Sequence, residues 1–187
     1  MADEFRLVSP GGFHHEGKIP RKHTGDGQGD QKDISPALEW YNVPEGTVSL
    51  ALVVDDPDAP DPKDPVVPWV HWVLINIPPT LKGIPAGFTT KGLDEKSEFA
   101  EIQEGYNDWK LPGYRGPNPP VGTHRYVFKL YALDTKLKLG HKATKDKVEI
   151  AVQGHVLGET ELIGHYTKEN FSTGHDSYVP PPGGPLI

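Results

Sequence analysis

The sequence predicts a mostly-β fold, either a sandwich or a barrel. Short runs that alternate apolar and polar residues or are rich in β-branched residues recur along the chain, and they are separated by turns. The 187 residues include 21 glycines and 20 prolines, enough to supply many such turns. A clear helical period occurs only once and late in the chain. Many short strands with one helix favour an all-β architecture with peripheral helical structure.

The strands are predicted in order from these alternating runs. A short strand at 5–9 is stopped by Pro10, and a second fragment around 38–41 precedes a turn at 44–46. The run 47–55 is apolar on both faces, which is typical of a central strand. Further strands are predicted at 69–77, at 124–133 and at 161–167, with a weak candidate at 99–102.

The predicted helix begins after Thr144, whose hydroxyl can cap it. Apolar residues and a histidine then recur at helical spacing, and Gly158 is expected to end the helix. These positions are Val148, Ala151, Val152, His155 and Val156. On this pattern we expect His155 to pack on the apolar side of the helix.

The length and composition of the chain limit the number of domains and the classes of binding partner that we expect. We expect one domain over 1–170, followed by a tail rich in proline and glycine at 171–187, of which 172–187 is expected to be dispensable for folding. The net charge of −7 and the absence of any basic run argue against direct binding to nucleic acid. There is no cysteine, so disulfides and thiolate metal sites are excluded. The acidic start and the lack of a long apolar stretch predict a cytoplasmic protein without integral membrane association.

Two stretches place polar side chains at strand ends. In 52–77 two strands flank a loop with five prolines, which would hold Asp56 and Asp58 near His71; we expect one of these prolines to be cis. In 113–134 a Gly/Pro segment precedes a strand in which His124 and Tyr126 share a face. The polar segment 78–110 is long for a loop, and we expect it to lie beside this site.

Three chemistries use such a set of residues. A pair of imidazoles can bind an anion, and a carboxylate next to them would raise their proton affinity. His71, His124 and Asp56 could instead hold a metal in a hydrolase. A histidine and an aspartate could also belong to a hydrolase, but no GxSxG or HExxH pattern is present.

Each of these residues could also have a purely structural role. His71 could be a hydrogen-bonded strand cap, and Asp56 and Asp58 could be turn formers. Trp69 and Tyr126 could belong to the core. His23, His141 and His175 lie in polar loops, where we expect them to be exposed to solvent.

The sequence also resembles a known family. DDPDAP at 55–60, WVHWVLINIP at 69–78, GYRGPNPPVGTHRYVFKLYALD at 113–134 and GHVLGETELIGHY at 154–166 are similar to the phosphatidylethanolamine-binding protein family, in particular its bacterial-type branch. The resemblance covers about 5–168. It implies a Greek-key β-sandwich with one or two peripheral helices.

The resemblance further implies a non-enzymatic protein with a small pocket for phosphate or phosphoethanolamine-type anions and no cofactor. It extends to kinase-inhibitor members of the family, which implies a protein partner in signalling. Matching the family's motifs position by position implies a set of ligand-binding residues. They are Asp56, Asp58, Pro60, Trp69, His71, Gly116, Pro119, Pro120, His124 and Tyr126. In this reading His124 donates a hydrogen bond to the anion.

Overall fold

The computed structural model describes residues 3–168. Within this part of the chain the secondary structure consists mainly of strands, with one α-helix and two 3-10 turns at Arg21–His23 and Gly140–Lys142. The strands are β1 Arg6–Val8, β2 Gly17–Lys18, β3 Leu38–Tyr41, β4 Ser49–Asp56, β5 Pro60–Asp61, β6 Asp64–Pro65, β7 Trp69–Ile77, β8 Gly83–Ile84, β9 Gln103–Glu104, β10 Thr123–Leu133 and β11 Val156–Thr167. The helix is α1, Lys145–Ala151. The predicted tail at 171–187 lies outside the described residues.

A large sheet and a small sheet enclose the main core. The large sheet has the order β2-β11-β10-β4-β7-β9, and the small one has the order β1-β3-β8. Leu7, Leu38 and Trp40 of the small sheet belong to the same buried cluster as Leu52 and Trp72 of the large one. Neither sheet closes on itself. The fold is therefore a sandwich and not a barrel.

The large sheet contains a Greek key. Strands β4, β7, β9 and β10 lie in the order β10-β4-β7-β9, and each neighbouring pair is antiparallel. The fourth strand thus returns over a long connection to lie beside the first, which defines the motif. The predicted Greek-key β-sandwich is confirmed.

Strand β4 is buried on both faces, as the sequence predicts. Leu50, Leu52 and Val54 contribute to the core between the sheets, whereas Ala51 and Val53 contribute to a second cluster beneath α1. The strand is central because β10 and β7 pair with its two edges.

The helix is shorter than predicted. The Thr144 side chain accepts a hydrogen bond from the Lys147 amide, so the predicted cap is confirmed. The helix nevertheless ends at Ala151, and Gly154 adopts a φ of 81° in the turn that leads into β11. Val156 therefore starts the last strand instead of extending the helix. Its cross-strand partner is Leu133, so pairing with β10 decides the conformation here.

Three smaller expectations are wrong. His155 is not packed against the core: it is exposed, and its Nδ1 is hydrogen-bonded to Oδ1 of Asp134 over 2.7 Å. His23 is buried, because its loop folds inward and its Nδ1 donates to the Ile34 carbonyl. The segment 99–102 forms turns, and the strand in this region is β9, immediately after it. His141 is exposed as predicted, and His175 lies outside the described residues.

Candidate functional site

The end of β4 and the starts of β7 and β10 lie side by side at one end of the large sheet. Asp56 pairs with Trp69, and Val127 pairs with Asp55. Neighbouring antiparallel strands bring the end of one next to the start of the other, so Asp56, His71 and His124 converge although they are far apart in sequence. The predicted cis proline is confirmed at Ala59-Pro60, in the connection between β4 and β7, where Ala59 is buried and Pro60 is exposed.

His124 is locked between two acceptors. Its Nδ1 donates to Oδ2 of Asp56 over 2.5 Å, and its Nε2 donates to the Val121 carbonyl over 2.8 Å. Burial alone would lower the pKa of His124, but the hydrogen bond and the charge of Asp56 outweigh it, so the pKa is raised. A ring that donates from both nitrogens is an imidazolium and has no donor left for a ligand. The expectation that its proton affinity is raised is therefore confirmed.

Asp56 is a hub for neighbouring donors. Its Oδ1 accepts the Asp58 amide over 2.8 Å, while Oδ2 holds His124. The Tyr126 hydroxyl lies beside this carboxylate, and burial together with the charge of Asp56 raises the pKa of Tyr126. The phenol thus remains protonated at ordinary pH. The Tyr126 ring packs against both imidazoles, with centroids 5.3 Å from His71 and 6.4 Å from His124.

Asp58 is paired with Arg125. Its carboxylate accepts from the Arg125 amide, Nε and a terminal guanidinium nitrogen at 2.8, 3.1 and 2.9 Å. Burial would raise the pKa of Asp58, but these bonds outweigh it and the pKa is lowered. Both aspartates are therefore occupied by protein groups, as the turn-former interpretation anticipates.

His71 differs from His124 in its hydrogen-bond partners and in the direction of its pKa shift. Its Nδ1 donates to the Arg115 carbonyl over 2.6 Å, and its buried Nε2 has no hydrogen-bond partner. Burial lowers the pKa of His71 to about 4, although the charge of Asp56 opposes the shift. The expectation of raised proton affinity is wrong for His71, because loss of hydration outweighs the nearby carboxylate. His71 is a neutral imidazole with a free acceptor.

Trp69 provides a free donor on the same strand face. Its indole Nε1 is buried without a partner. The rings of Trp69 and His71 both form T-shaped contacts with the Trp109 ring, at centroid distances of 5.5 and 5.0 Å. Trp69 and His71 are two residues apart on β7, so their side chains are neighbours on one face.

The glycine-proline loop that follows Arg115 packs closely against the loop that contains His23 and Asp33. The Gly116 amide donates to Asp33 Oδ1 over 3.0 Å, and a Cβ at Gly116 would lie 2.2 Å from the His23 carbonyl oxygen. Only glycine allows so close an approach of two backbones. Pro119 is buried beneath the loop and Pro120 is exposed at the rim.

Sequence reasoning missed two residues that complete the site. Trp109 lies in the polar segment 78–110, which reaches the site as expected, and the Arg115 guanidinium lies over its ring at 4.6 Å. Among the described residues Arg115 makes no ion pair. Its position in GYRGPNPP, next to the glycine-proline loop, was the available signal.

The residues proposed for a metal do not form a metal site. No group of three or more histidine and carboxylate side chains within 3–168 is arranged to hold a metal ion. Both ring nitrogens of His124 carry protons that are donated to oxygen, so this ring has no lone pair for a metal. The hydrolase alternative based on His71, His124 and Asp56 is therefore not supported.

His71 also borders a narrow gap on its inner side. The gap is enclosed by Val54, His71, Tyr114, Pro117, Tyr126 and Phe128, and it is too small for a water molecule. We call the side of His71 that Trp109 covers its outer side. Trp69, Trp109 and Arg115 are partly exposed there, whereas His71 itself is buried. Within the described part of the chain no helix is long and apolar enough to cross a membrane.

Comparisons with known proteins agree with this architecture. The family model described as phosphatidylethanolamine-binding protein matches residues 9–167. A "UPF0098 protein" of Methanothermobacter thermautotrophicus is 47% identical over 156 residues, covering 83% of this chain and 95% of that protein. The crystal structure of a putative phosphatidylethanolamine-binding protein homologue from Chlamydia trachomatis superposes with a TM-score of 0.75 at 33% identity, covering 88% of this chain and 98% of that one.

Escherichia coli YbcL, described as a new member of the mammalian family, superposes with a TM-score of 0.74 at 30% identity. The match covers 89% of this chain and all of the YbcL chain. The chain therefore belongs to the phosphatidylethanolamine-binding protein family, on its bacterial-type branch.

Proposed function

We propose that this protein is a non-enzymatic binding protein for a small phosphate-type anion, such as phosphate or phosphoethanolamine. The anion binds on the outer side of the His71 ring, against Trp69, Trp109 and Arg115. Family membership makes this class of ligand the natural one to consider. The rest of the proposal is supported by the polar atoms at this strand end.

The observation that carries the proposal is the buried, unpartnered indole N–H of Trp69, whose ring packs against Trp109, the ring that also carries the Arg115 guanidinium. A buried donor without a partner costs about 1–3 kcal/mol, and an anion oxygen would remove that cost. Arg115 provides a positive charge that no carboxylate within 3–168 neutralises through an ion pair, and its planar fork suits phosphate oxygens.

The histidine and aspartate pair supports a binding role and not a catalytic one. In a serine hydrolase the histidine takes the nucleophile's proton on one nitrogen while the aspartate holds the other. Here the nitrogen opposite Asp56 donates to the Val121 carbonyl. It therefore has no lone pair with which to act as a base.

Calorimetric titration of inorganic phosphate and of phosphoethanolamine tests the proposal. Trp69→Phe keeps an aromatic ring in contact with Trp109 but removes the donor, and we expect about tenfold weaker binding. His155→Ala changes an exposed histidine outside the site and should bind as the wild type does. If neither anion binds the wild-type protein at millimolar concentration, the proposed function is wrong.

A further inference from the structure

A groove of about 510 Å³ lies beside the end of β11, on the face of the large sheet that is turned away from the small sheet. His165 and Thr167 face it, and they alternate along β11 with Tyr166, whose side chain belongs to the main core. The volume is in the range of ligand sites. The lining contains basic and hydroxyl-bearing residues and no carboxylate: Lys18, Thr123, His165, Tyr166, Thr167 and Lys168.

Strand register builds a basic row along this groove. Arg125 of β10 pairs with His165 of β11, and His165 pairs in turn with Lys18 of β2. Neighbouring strands lie about 5 Å apart, and paired residues point to the same face. Thr123 and Thr167 form the next pair, with their hydroxyl oxygens 2.5 Å apart. Three basic side chains and two hydroxyl groups thus converge on one face, in a protein whose net charge is −7.

Two cations at the groove already have partners but still reach solvent. Arg125 binds the carboxylate of Asp58, yet its side chain is 53% exposed. Lys168 Nζ lies 2.8 Å from Oδ1 of Asn118 and 3.4 Å from Oδ1 of Asp26, and its side chain is 43% exposed. A further anion can therefore approach either cation without breaking these contacts.

The chain itself provides a segment of matching charge at this place. Lys168, which lines the groove, is followed by residues 169–187, and these include Glu169 and Asp176 but no lysine or arginine. We propose that the C-terminal segment 169–187 docks in this groove of its own chain, and that Glu169 and Asp176 interact there with the basic row. The groove is then an intramolecular peptide site, which an acidic segment of another protein can enter only by displacing the C-terminal segment.

The covalent connection makes weak contacts sufficient for docking. An exposed ion pair contributes at most about 1 kcal/mol, too little to hold a separate peptide. A short flexible connection gives an effective concentration in the millimolar range, so a contact with a Kd of about 1 mM is populated roughly half of the time. Asp176 is eight residues beyond Lys168 and can reach up to about 26 Å from it, at roughly 3.3 Å per residue. That reach exceeds the distance of about 10 Å between the two outer strands of the row.

A spin label on the full chain tests the proposal. The sequence has no cysteine, so Ser177→Cys creates a single attachment point for a nitroxide. At about 0.1 M salt the label should broaden the amide signals of Thr123 and His165 in NMR spectra and leave those around Glu45, before the start of β4, unchanged. At about 1 M salt the Debye length falls from about 10 Å to about 3 Å, and most of the broadening should be lost.

Charge variants of the labelled chain identify the groups involved. Glu169→Gln combined with Asp176→Asn should lose most of the broadening at low salt, as high salt does. The matched control combines Glu45→Gln with Glu95→Gln, which removes the same charge from two exposed positions outside the groove. This control should broaden the Thr123 and His165 signals as much as the labelled chain without further substitutions.

Broadening that persists at high salt and in the Glu169→Gln, Asp176→Asn variant would reflect only the connection through Lys168 and would overturn the inference. A mixture of spin-labelled chains with separate ¹⁵N-labelled chains shows whether the contact is made within one chain. Broadening of the ¹⁵N-labelled chains in that mixture would assign the groove to the segment of a second copy and would also overturn the inference. These outcomes are independent of the proposed anion binding, which the phosphate titrations test separately.

Discussion

His71 and His124 both lie against the Tyr126 ring, at centroid distances of 5.3 and 6.4 Å, but His124 is charged whereas His71 is neutral. His124 is an imidazolium held by Asp56 and the Val121 carbonyl. His71 is neutral, with its pKa lowered to about 4 by burial. The difference follows from the partners: one ring faces a carboxylate, whereas the other faces a carbonyl and aromatic rings. Both ring nitrogens of His124 are thus hydrogen-bonded within the protein, whereas Nε2 of His71 is buried without a partner.

The first prediction concerns His124. Replacing it with alanine should lower the free energy of unfolding by about 3–5 kcal/mol, because Asp56 would become a buried, unpaired charge. Urea denaturation measures the loss. The matched variant His155→Ala removes an exposed hydrogen bond to Asp134 and should change stability by less than about 1 kcal/mol. A loss for His124→Ala as small as that of the control would mean that the pair does not support the fold.

The second prediction concerns pH and His71. The pKa is about 4 in the folded protein and about 6.5 in the unfolded chain. The unfolded state therefore binds the proton first as the pH falls. The stability from neutral His71 is complete above pH 6.5 and is lost toward pH 4, at a total of roughly 3 kcal/mol. NMR titration of the imidazole checks this directly, and a midpoint near 6.5 would contradict it.

The pKa of His124 should be shifted in the opposite direction to that of His71, and the same NMR titration measures it. Its pKa is raised in the folded protein, where the pull of Asp56 exceeds the effect of burial. Its contribution to stability is therefore complete below the unfolded value of about 6.5 and is lost as the pH rises through the folded pKa. Its NMR titration should have a midpoint above 6.5. A midpoint below that of a free histidine would contradict the imidazolium assignment.

The third prediction tests Arg115 as the cation of the site. Arg115→Gln should weaken phosphate binding by about tenfold and make the remaining binding less sensitive to salt. Arg6→Gln is a matched control, because the Arg6 guanidinium also lies over an aromatic ring, at 4.9 Å from the centroid of Tyr41. Arg6 is in β1 of the small sheet, outside the site. Calorimetry at two salt concentrations compares the variants. Equal effects of the two substitutions would remove Arg115 from the site.

The fourth prediction concerns Gly116. Alanine there would place its Cβ 2.2 Å from the His23 carbonyl oxygen, so one backbone must move, and we expect a loss of more than about 2 kcal/mol. Gly29→Ala meets no atom within 4 Å and is strained only by its φ of 60°. It should cost about 1–2 kcal/mol. Thermal melting of both variants checks the difference, and equal melting temperatures would refute the close-approach argument.

The local pattern of the sequence determined the strands and the strand ends. Period two placed Leu52 and Ala51 on opposite faces of β4, and proline and glycine marked the loops that carry the site residues. Such features depend on neighbours within a few residues, so they can be predicted without the fold. The end of the helix could not be predicted in this way, because pairing of Val156 with Leu133 overrides its helical spacing.

Only the tertiary structure decided which polar groups are free. His71 and His124 have the same side chain and similar positions at strand starts, yet their partners come from Arg115 in one case and from Asp56 and Val121 in the other. Protonation depends on burial and on charges a few ångströms away, and those distances are set by contacts distant in sequence. The sequence thus placed these residues at neighbouring strand ends, and the packing there left buried, unpartnered atoms on Trp69 and His71.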